Sequence, residues 1–247
     1  MRSTRICYRL VGFAALASLV ATHVSFAEDK DNQTEVERNR SATKRPLDLG
    51  KEIAIFDGKT LKGWRIANTF DFEQHGKVEV RDGSIHLESG RPATGIAITT
   101  EIPKSNYEIF FRGRRVAGND FFCGLTFPVK EQHCTLVLGG WGGKLVGLSN
   151  IDSFSAAEND TTRVFDFENG KWQDVRLRVT DDFIRIWLND RKIIEVDVQR
   201  HNFSIYWAQE PIRPFGLATW NTYGELKDLK LHQLKSEASG NLLRTRG

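Results

Sequence analysis

The chain has 247 residues, 40% of them hydrophobic and 27% charged, with 35 Lys and Arg against 32 Asp and Glu. The first 27 residues hold three of the Arg and no acid, so the remainder carries 32 charges of each sign. A net charge near zero gives no electrostatic footprint for nucleic acid or an anionic membrane surface, and it suits a neutral partner.

Residues 1–27 read as an export signal. Arg2, Arg5 and Arg9 form a basic start, Leu10 to Val20 an apolar core, and Ser25-Phe26-Ala27 a small-x-small cleavage site before Glu28. The apolar core is about half the ~20 residues a spanning helix needs, so a secreted or periplasmic location with no membrane attachment after cleavage is expected. Residues 28–48 and 236–247 are poor in large apolar side chains and are expected to form a flexible leader and tail. The stretch between them, 49–235, is long enough for one well-buried domain.

Within that stretch, Ile53, Ile55 and Phe56 lead into the turn dipeptide Asp57-Gly58, and Gly63-Trp64 opens a second apolar segment. Val78 and Val80 alternate before Asp82-Gly83, and Ile85 and Leu87 after it, which predicts a hairpin. Tyr107, Ile109 and Phe111 form one face of a strand, with Glu108, Phe110, Arg112 and Arg114 on the other. A hairpin turning near Pro128-Val129 would set Cys123 directly opposite Cys134, as a disulfide or as two buried free thiols. It would also put Phe121, Cys123, Leu125, Cys134, Leu136 and Leu138 on a core face, and Phe122, Gly124, Thr126, His133, Thr135 and Val137 on the opposite one. Val175 to Val179, Ile184 to Leu188 and Ile194 to Val198 alternate around an Asn189-Asp190 turn, and Phe215 to Thr219 and Leu229 to Leu231 close the series. No window carries a helical period. The pattern predicts an all-β chain of about a dozen strands in two antiparallel sheets packed face to face, a sandwich or jelly roll.

Phe56 to Trp64, Val80-Arg81-Asp82-Gly83-Ser84-Ile85, Asn106-Tyr107-Glu108-Ile109, Gly170-Lys171-Trp172-Gln173 and Ile186-Trp187-Leu188-Asn189-Asp190 together resemble the 3-keto-disaccharide hydrolase domain family. The resemblance implies a concanavalin A-like lectin/glucanase sandwich in an exported bacterial protein that acts on or binds saccharides. It runs from about Ile53 to Leu234. The strands after Gly118 depart from the family pattern, though Asn119 and Gly124 echo part of it.

The catalytic candidates are His133 and Asp120, placed near each other on the groove-facing side of the hairpin, where a His beside a carboxylate serves as a general base. Such a base suits a 3-keto sugar, whose ketone acidifies the neighbouring C–H. The binding candidates are Asn119, Trp141 between two glycine pairs, Trp207, Trp220 and Asn221, because sugar C–H faces stack on aromatic rings while hydroxyls need polar partners. Trp64, Trp172 and Trp187 read as core anchors. Glu195 and Asp197 lack the third acid of a glucanase strand and read as an exposed salt-bridge ladder with Arg176 and Arg178. No cofactor is expected; Glu158-Asn159-Asp160 offers oxygens of the kind Ca²⁺ takes, without the spacing of a defined calcium loop. The expected partner is a saccharide. The rival expectations are a non-catalytic carbohydrate-binding module and a laminin-G-like protein-interaction domain.

Overall fold

A computed structural model of the protein describes residues 49–235. The export signal, leader and tail expected at 1–27, 28–48 and 236–247 lie outside these residues.

The described chain is a two-sheet antiparallel sandwich. One sheet runs in the order β13 (Arg191–Asp197), β12 (Phe183–Leu188), β11 (Gln173–Val179), β6 (Tyr107–Ala117), β15 (Tyr223–Leu234), β4 (Ser84–Leu87) and β3 (Val78–Arg81), with β1 (Leu49–Ile53) also paired to β15. The other runs β10 (Arg163–Val164), β9 (Leu145–Ser149), β8 (Gln132–Gly139), β7 (Cys123–Val129), β14 (Gly216–Trp220), β5 (Ala93–Ile98) and β2 (Trp64–Ile66). Hairpin-connected runs (β11 to β13, β3 to β4, β7 to β10) are joined in each sheet by neighbours distant in sequence, such as β6 with β11 and β15, and β14 with β5 and β7, as in a jelly roll.

The period-two pattern determines which side chains meet between the sheets. Tyr107, Ile109 and Phe111 of β6, with Val175, Leu177 and Val179 of β11, pack against Cys123, Leu125 and Phe127 of β7 and Cys134, Leu136 and Leu138 of β8. Each such fully buried side chain contributes about 1.5–3 kcal/mol. The Tyr107 hydroxyl donates to the Pro128 carbonyl and so ties the two sheets together. Asp82 and Gly83 (φ 50° and 76°), and Asn189 and Asp190 (φ 49° and 64°), take the left-handed pairs that two-residue hairpins require. At the opening motif, the Asp57 carboxylate accepts from the backbone N–H of Lys59 and Thr60 and from the Thr60 hydroxyl, which pulls its pKa to about 2. Asp57 therefore builds a turn. Trp64 anchors the segment by donating from Nε1 to the Ile55 carbonyl at 2.7 Å.

The hairpin register differs from the expected one. The turn lies at Lys130-Glu131, with Lys130 at φ 54° and Val129 paired to Gln132. Cys123 then faces Leu138, and Cys134 faces Phe127. The cysteines sit four pairs apart, about 13 Å at ~3.3 Å per residue, so both are buried free thiols. Phe121 and Phe122 also exchange roles. The chain bends before Cys123, so Phe122 joins the main core and Phe121 turns outward.

Trp172 and Trp187 are not core anchors. Both occupy outward positions on the eight-stranded sheet, where Arg114 (4.5 Å) and Lys227 (4.3 Å) cover the Trp172 ring and Arg176 (3.9 Å) covers that of Trp187. The same outer face carries a cross-strand charge row, Glu52, His232, Glu108, Arg178, Arg185 and Glu195. Glu195 pairs with Arg185 and Lys192, and Asp197 with Arg200; the expected partner Arg178 goes instead to Glu108.

The outer face of the seven-stranded sheet differs in character. Its outward positions on β5 and β14 are small (Ala93, Gly95, Ala97, Gly216 and Ala218) and admit a second, smaller core containing Phe72 and Ile212. Two short 3-10 turns, Phe70–Phe72 and Trp207–Ile212, supply those side chains. The second of these turns, with its lead-in, forms one wall of the cleft described next.

Candidate functional site

A cleft of about 360 Å³ opens on the outer face of the seven-stranded sheet. Thr135 and Val137 of β8 and Ser149 of β9 form its floor. Tyr206 and Gln209 come from the Trp207–Ile212 turn and its lead-in, and Asn150 and Ser155 from the loop after β9. Asp120, Phe121, Trp141 and Trp220 complete the lining.

The Trp141 side of the cleft is built on an unusual backbone. Trp141 has φ 47° and ψ 63°, a left-handed conformation that costs a bulky residue about 1–2 kcal/mol, and its ring remains half exposed (52%). Gly143, at φ 92°, takes a conformation that favours glycine and leaves room for Arg115, whose Nη1 would stand 2.6 Å from an added Cβ. Arg115 is a core-facing side chain near the end of β6. Its guanidinium donates to the carbonyls of Gly143 (3.0 Å) and Phe167 and to Asn169 Oδ1 (2.7 Å). Charge-assisted bonds of this kind, made out of water, hold the glycine loop and fix where the indole stands.

Asp120 lies at the same end. Its backbone N–H donates to Thr222 Oγ1 at 3.0 Å, and its Oδ1 accepts the Phe121 N–H at 2.7 Å. Burial raises the pKa of its carboxyl; the N–H groups of Phe121 and Trp141 and the Arg115 charge only partly offset that shift. A carboxylate less stable than usual in its charged form is a better proton acceptor, the property a general base needs. Phe121 and Trp220, also in the lining, meet at a tilt of 36° with centroids 6.0 Å apart.

The sequence-derived candidates divide between locations. Asp120, Trp141 and Trp220 line one cleft. His133 does not join them. It lines a separate hollow with Lys104, Glu131, Glu210 and Arg213, where burial and the Arg213 and Lys104 charges lower its pKa. Thr135, the cleft residue nearest to it on its own face of β8, is only two residues away, but Asp120 Oδ1 lies beside Gly140, just past the opposite end of the strand, seven residues from His133. The expected pairing of His133 with Asp120 therefore does not form. Asn119 is exposed outside the cleft lining, and Asn221 (φ 46°) donates its backbone N–H to the Pro92 carbonyl. Trp207 stands just outside the cleft, 5.5 Å from Tyr206 and 5.7 Å edge-on from Phe70. Two of the three loop residues considered for Ca²⁺ have internal uses: Glu158 accepts from Ser155, and Asn159 Oδ1 accepts from Thr161. Among the described residues no three His, Cys, Asp or Glu side chains converge as a metal-binding group, and no helix is long and apolar enough to cross a membrane.

Sequence reasoning missed Phe121, Tyr206, Gln209, Asn150 and Ser155. Strict alternation hid Phe121. Tyr206 and Gln209 sit in a short turn beside Trp207, where the Tyr-Trp pair was the available signal.

Residues 51–232 match the model of the 3-keto-alpha-glucoside-1,2-lyase-like domain. The chain belongs to this family. It is thus a carbohydrate-related, glycosyl hydrolase-like domain, and the family model spans both sheets and the cleft. No curated protein matches the chain. Among solved structures, domain 4 of AbnA, a GH43 extracellular arabinanase from Geobacillus stearothermophilus in complex with arabinotriose, is 11% identical over 77% of this chain and 94% of that one, with a TM-score of 0.49. A glycosyl hydrolase family protein from Mycobacterium fortuitum is 9% identical over 75% of this chain and 99% of that one (TM-score 0.46). The carbohydrate-binding module CBM66 from Bacillus subtilis is 15% identical over 69% of this chain and 95% of that one (TM-score 0.44).

Proposed function

We propose that the cleft binds a 3-keto-glycoside and that Asp120 is the base that starts its cleavage by elimination. The observation that carries this reading is a carboxyl with a raised pKa on the wall of an aromatic-lined cleft, in a 3-keto-alpha-glucoside-1,2-lyase-like domain. The ketone at C3 acidifies the C2–H bond. Asp120 takes that proton, the electron pair forms a C1–C2 double bond, the C1–O bond breaks, and the departing alkoxide takes up a proton from water. One well-placed base suffices for this sequence. Hydrolysis by paired carboxylates needs two, and Asp120 is the only carboxylate among the lining residues.

The aromatic surface supports a substrate of two rings. Among the described residues the strongly exposed aromatics are Phe70, Trp141, Phe154, Tyr206 and Trp207. Trp141 and Tyr206 flank the cleft, while Trp207 and Phe70 continue from Tyr206 beyond it. In this reading the keto ring occupies the cleft and the leaving sugar stacks on Trp207. The export signature of residues 1–27 supports an extracytoplasmic location.

Incubation with 3-keto-trehalose should release glucose together with an enone absorbing in the near ultraviolet. Asp120→Asn should lower the rate by about 10²–10⁴-fold, the usual contribution of a positioned base. An undiminished rate in Asp120→Asn overturns the assignment. Saturable binding by wild type with no product would instead favour a carbohydrate-binding module, a reading that the single carboxylate of the cleft also fits.

A further inference from the structure

We infer that Gln209 selects the ligand by accepting a hydrogen bond from one particular sugar hydroxyl, an inference that rests on the saccharide reading of the cleft. Gln209 lines the cleft although only 4% of it is exposed, and its Oε1 meets no donor among the described residues. Buried amide oxygens are rarely left in that state, because losing water without gaining a partner is unfavourable. Among the described residues Arg178 Nη2 and Thr219 Oγ1 are also buried without a hydrogen-bond partner, as is Arg112 Nε, although it is ion-paired with Asp174 Oδ1 at 2.9 Å. None of those residues lines the cleft.

The position of Gln209 is fixed by what surrounds it. Its backbone N–H donates to the Tyr206 carbonyl at 2.8 Å. Ala208, Pro211 and Ile212 of the same turn are buried, and Ile212 belongs to the second core. The side chain is thus mounted on a packed element, as a specificity group needs to be.

Other oxygens in the cleft already hold a partner or, like the Tyr206 hydroxyl, stand on an exposed residue where water can serve them. The Thr135 hydroxyl pairs with Thr126 at 2.8 Å, the Ser149 hydroxyl donates to Asn150 Oδ1 at 2.7 Å, and the Ser155 hydroxyl donates to Glu158. Among the lining residues described, Gln209 Oε1 is the buried acceptor left with no partner at all, so a ligand O–H gains most there. A site with a buried acceptor of this sort discriminates strongly against an analogue lacking the matching hydroxyl, because the acceptor then stays unpaired in the complex.

The test is stopped-flow quenching of tryptophan fluorescence, read before turnover, with 3-keto-trehalose and analogues lacking the 2-, 4- or 6-hydroxyl of the keto ring. Wild type should bind the parent sugar and lose about 10- to 100-fold in affinity for one of the three analogues. Gln209→Met, close in shape and without the acceptor, should bind the parent more weakly and show no further loss with that same analogue. Its melting temperature should equal or exceed that of wild type, because the substitution removes an unpaired buried polar atom. Equal losses in both proteins for every analogue would overturn the role of Gln209 while leaving the saccharide cleft standing. A lower melting temperature with unchanged sugar affinity would also overturn it, by showing that Gln209 is purely structural. Failure of wild type to bind 3-keto-trehalose would overturn the saccharide reading and this inference with it.

Discussion

Replacing Gly143 by Ala tests whether Arg115 and the glycine loop together set the Trp141 wall. At φ 92° an L-residue is strained by about 1–2 kcal/mol. The new Cβ would also lie 2.6 Å from Arg115 Nη1 and 3.1 Å from the Asn119 carbonyl. Arg115 has little room to retreat, because Nε is held by Asn169 and Nη2 by Phe167. Its bond to the Gly143 carbonyl would break, and a hydrogen bond from a charged group is worth about 1.5–3 kcal/mol. The sum is about 2.5–5 kcal/mol, which moves a urea midpoint by about 1–2.5 M at a slope of ~2 kcal/mol/M. Gly170 provides an internal control: its φ is 83°, and nothing lies within 4 Å of an added Cβ. Gly170→Ala should cost only the strain of about 1–2 kcal/mol. Urea unfolding of the two variants, followed by 3-keto-trehalose quenching of the folded forms, should show Gly143→Ala as the less stable and the weaker binder. If the two variants have equal midpoints, the clash with Arg115 is not what constrains this loop.

Because burial raises the Asp120 carboxyl, the folded state keeps that proton to higher pH than the unfolded chain does. Stability should therefore fall as pH rises from the ordinary carboxylate value through the raised one, and Asp120→Asn should flatten that segment of a pH–stability curve. Turnover needs the charged base, so kcat/KM for 3-keto-trehalose should decline on the acid side through a pKa above the ordinary carboxylate range; an acid limb at or below that range contradicts the assignment. His133→Ala should leave turnover within about 2-fold of wild type, since the residue lies in another hollow, and a loss of 100-fold would return it to the mechanism. Burial pushes both Cys123 and Cys134 thiols far up, so neither should react with a thiol reagent in native buffer while both react in guanidinium, and dithiothreitol should leave the melting temperature unchanged. Trp207→Ala should weaken binding of 3-keto-trehalose by about 1–2 kcal/mol of stacking and leave a methyl 3-keto-glucoside unaffected; equal losses for both ligands would remove Trp207 from a second-ring site.

Much of this protein was legible in local pattern. Period-two alternation assigned the faces of β6, β11 and β12, and Asp82-Gly83 and Asn189-Asp190 marked the β3–β4 and β12–β13 hairpins, because backbone pleat and left-handed turn preferences act over a few residues. Asp120, Trp141 and Trp220 stood out as polar or aromatic residues among turn-forming neighbours, and all three line the cleft. Register was a different matter. A two-residue displacement of the β7–β8 turn preserved the faces from Cys123 to Leu138 and yet separated Cys123 from Cys134. The sequence also could not show that Val137 and its neighbours, rather than His133, lie alongside Asp120.

By itself, then, the sequence determined the all-β sandwich, the family and the turn-building role of Asp57, since each depends on local pattern or on motifs a few residues long. Only the tertiary structure decided which groups share a cleft. Residues 120, 141, 149, 209 and 220 arrive there on separate strands and loops, and their meeting depends on packing between segments far apart in the chain. Burial of Asp120, confinement of Arg115 beneath Gly143 and the unpaired oxygen of Gln209 all follow from that packing. Each is a property of desolvation, which has no counterpart in the extended chain.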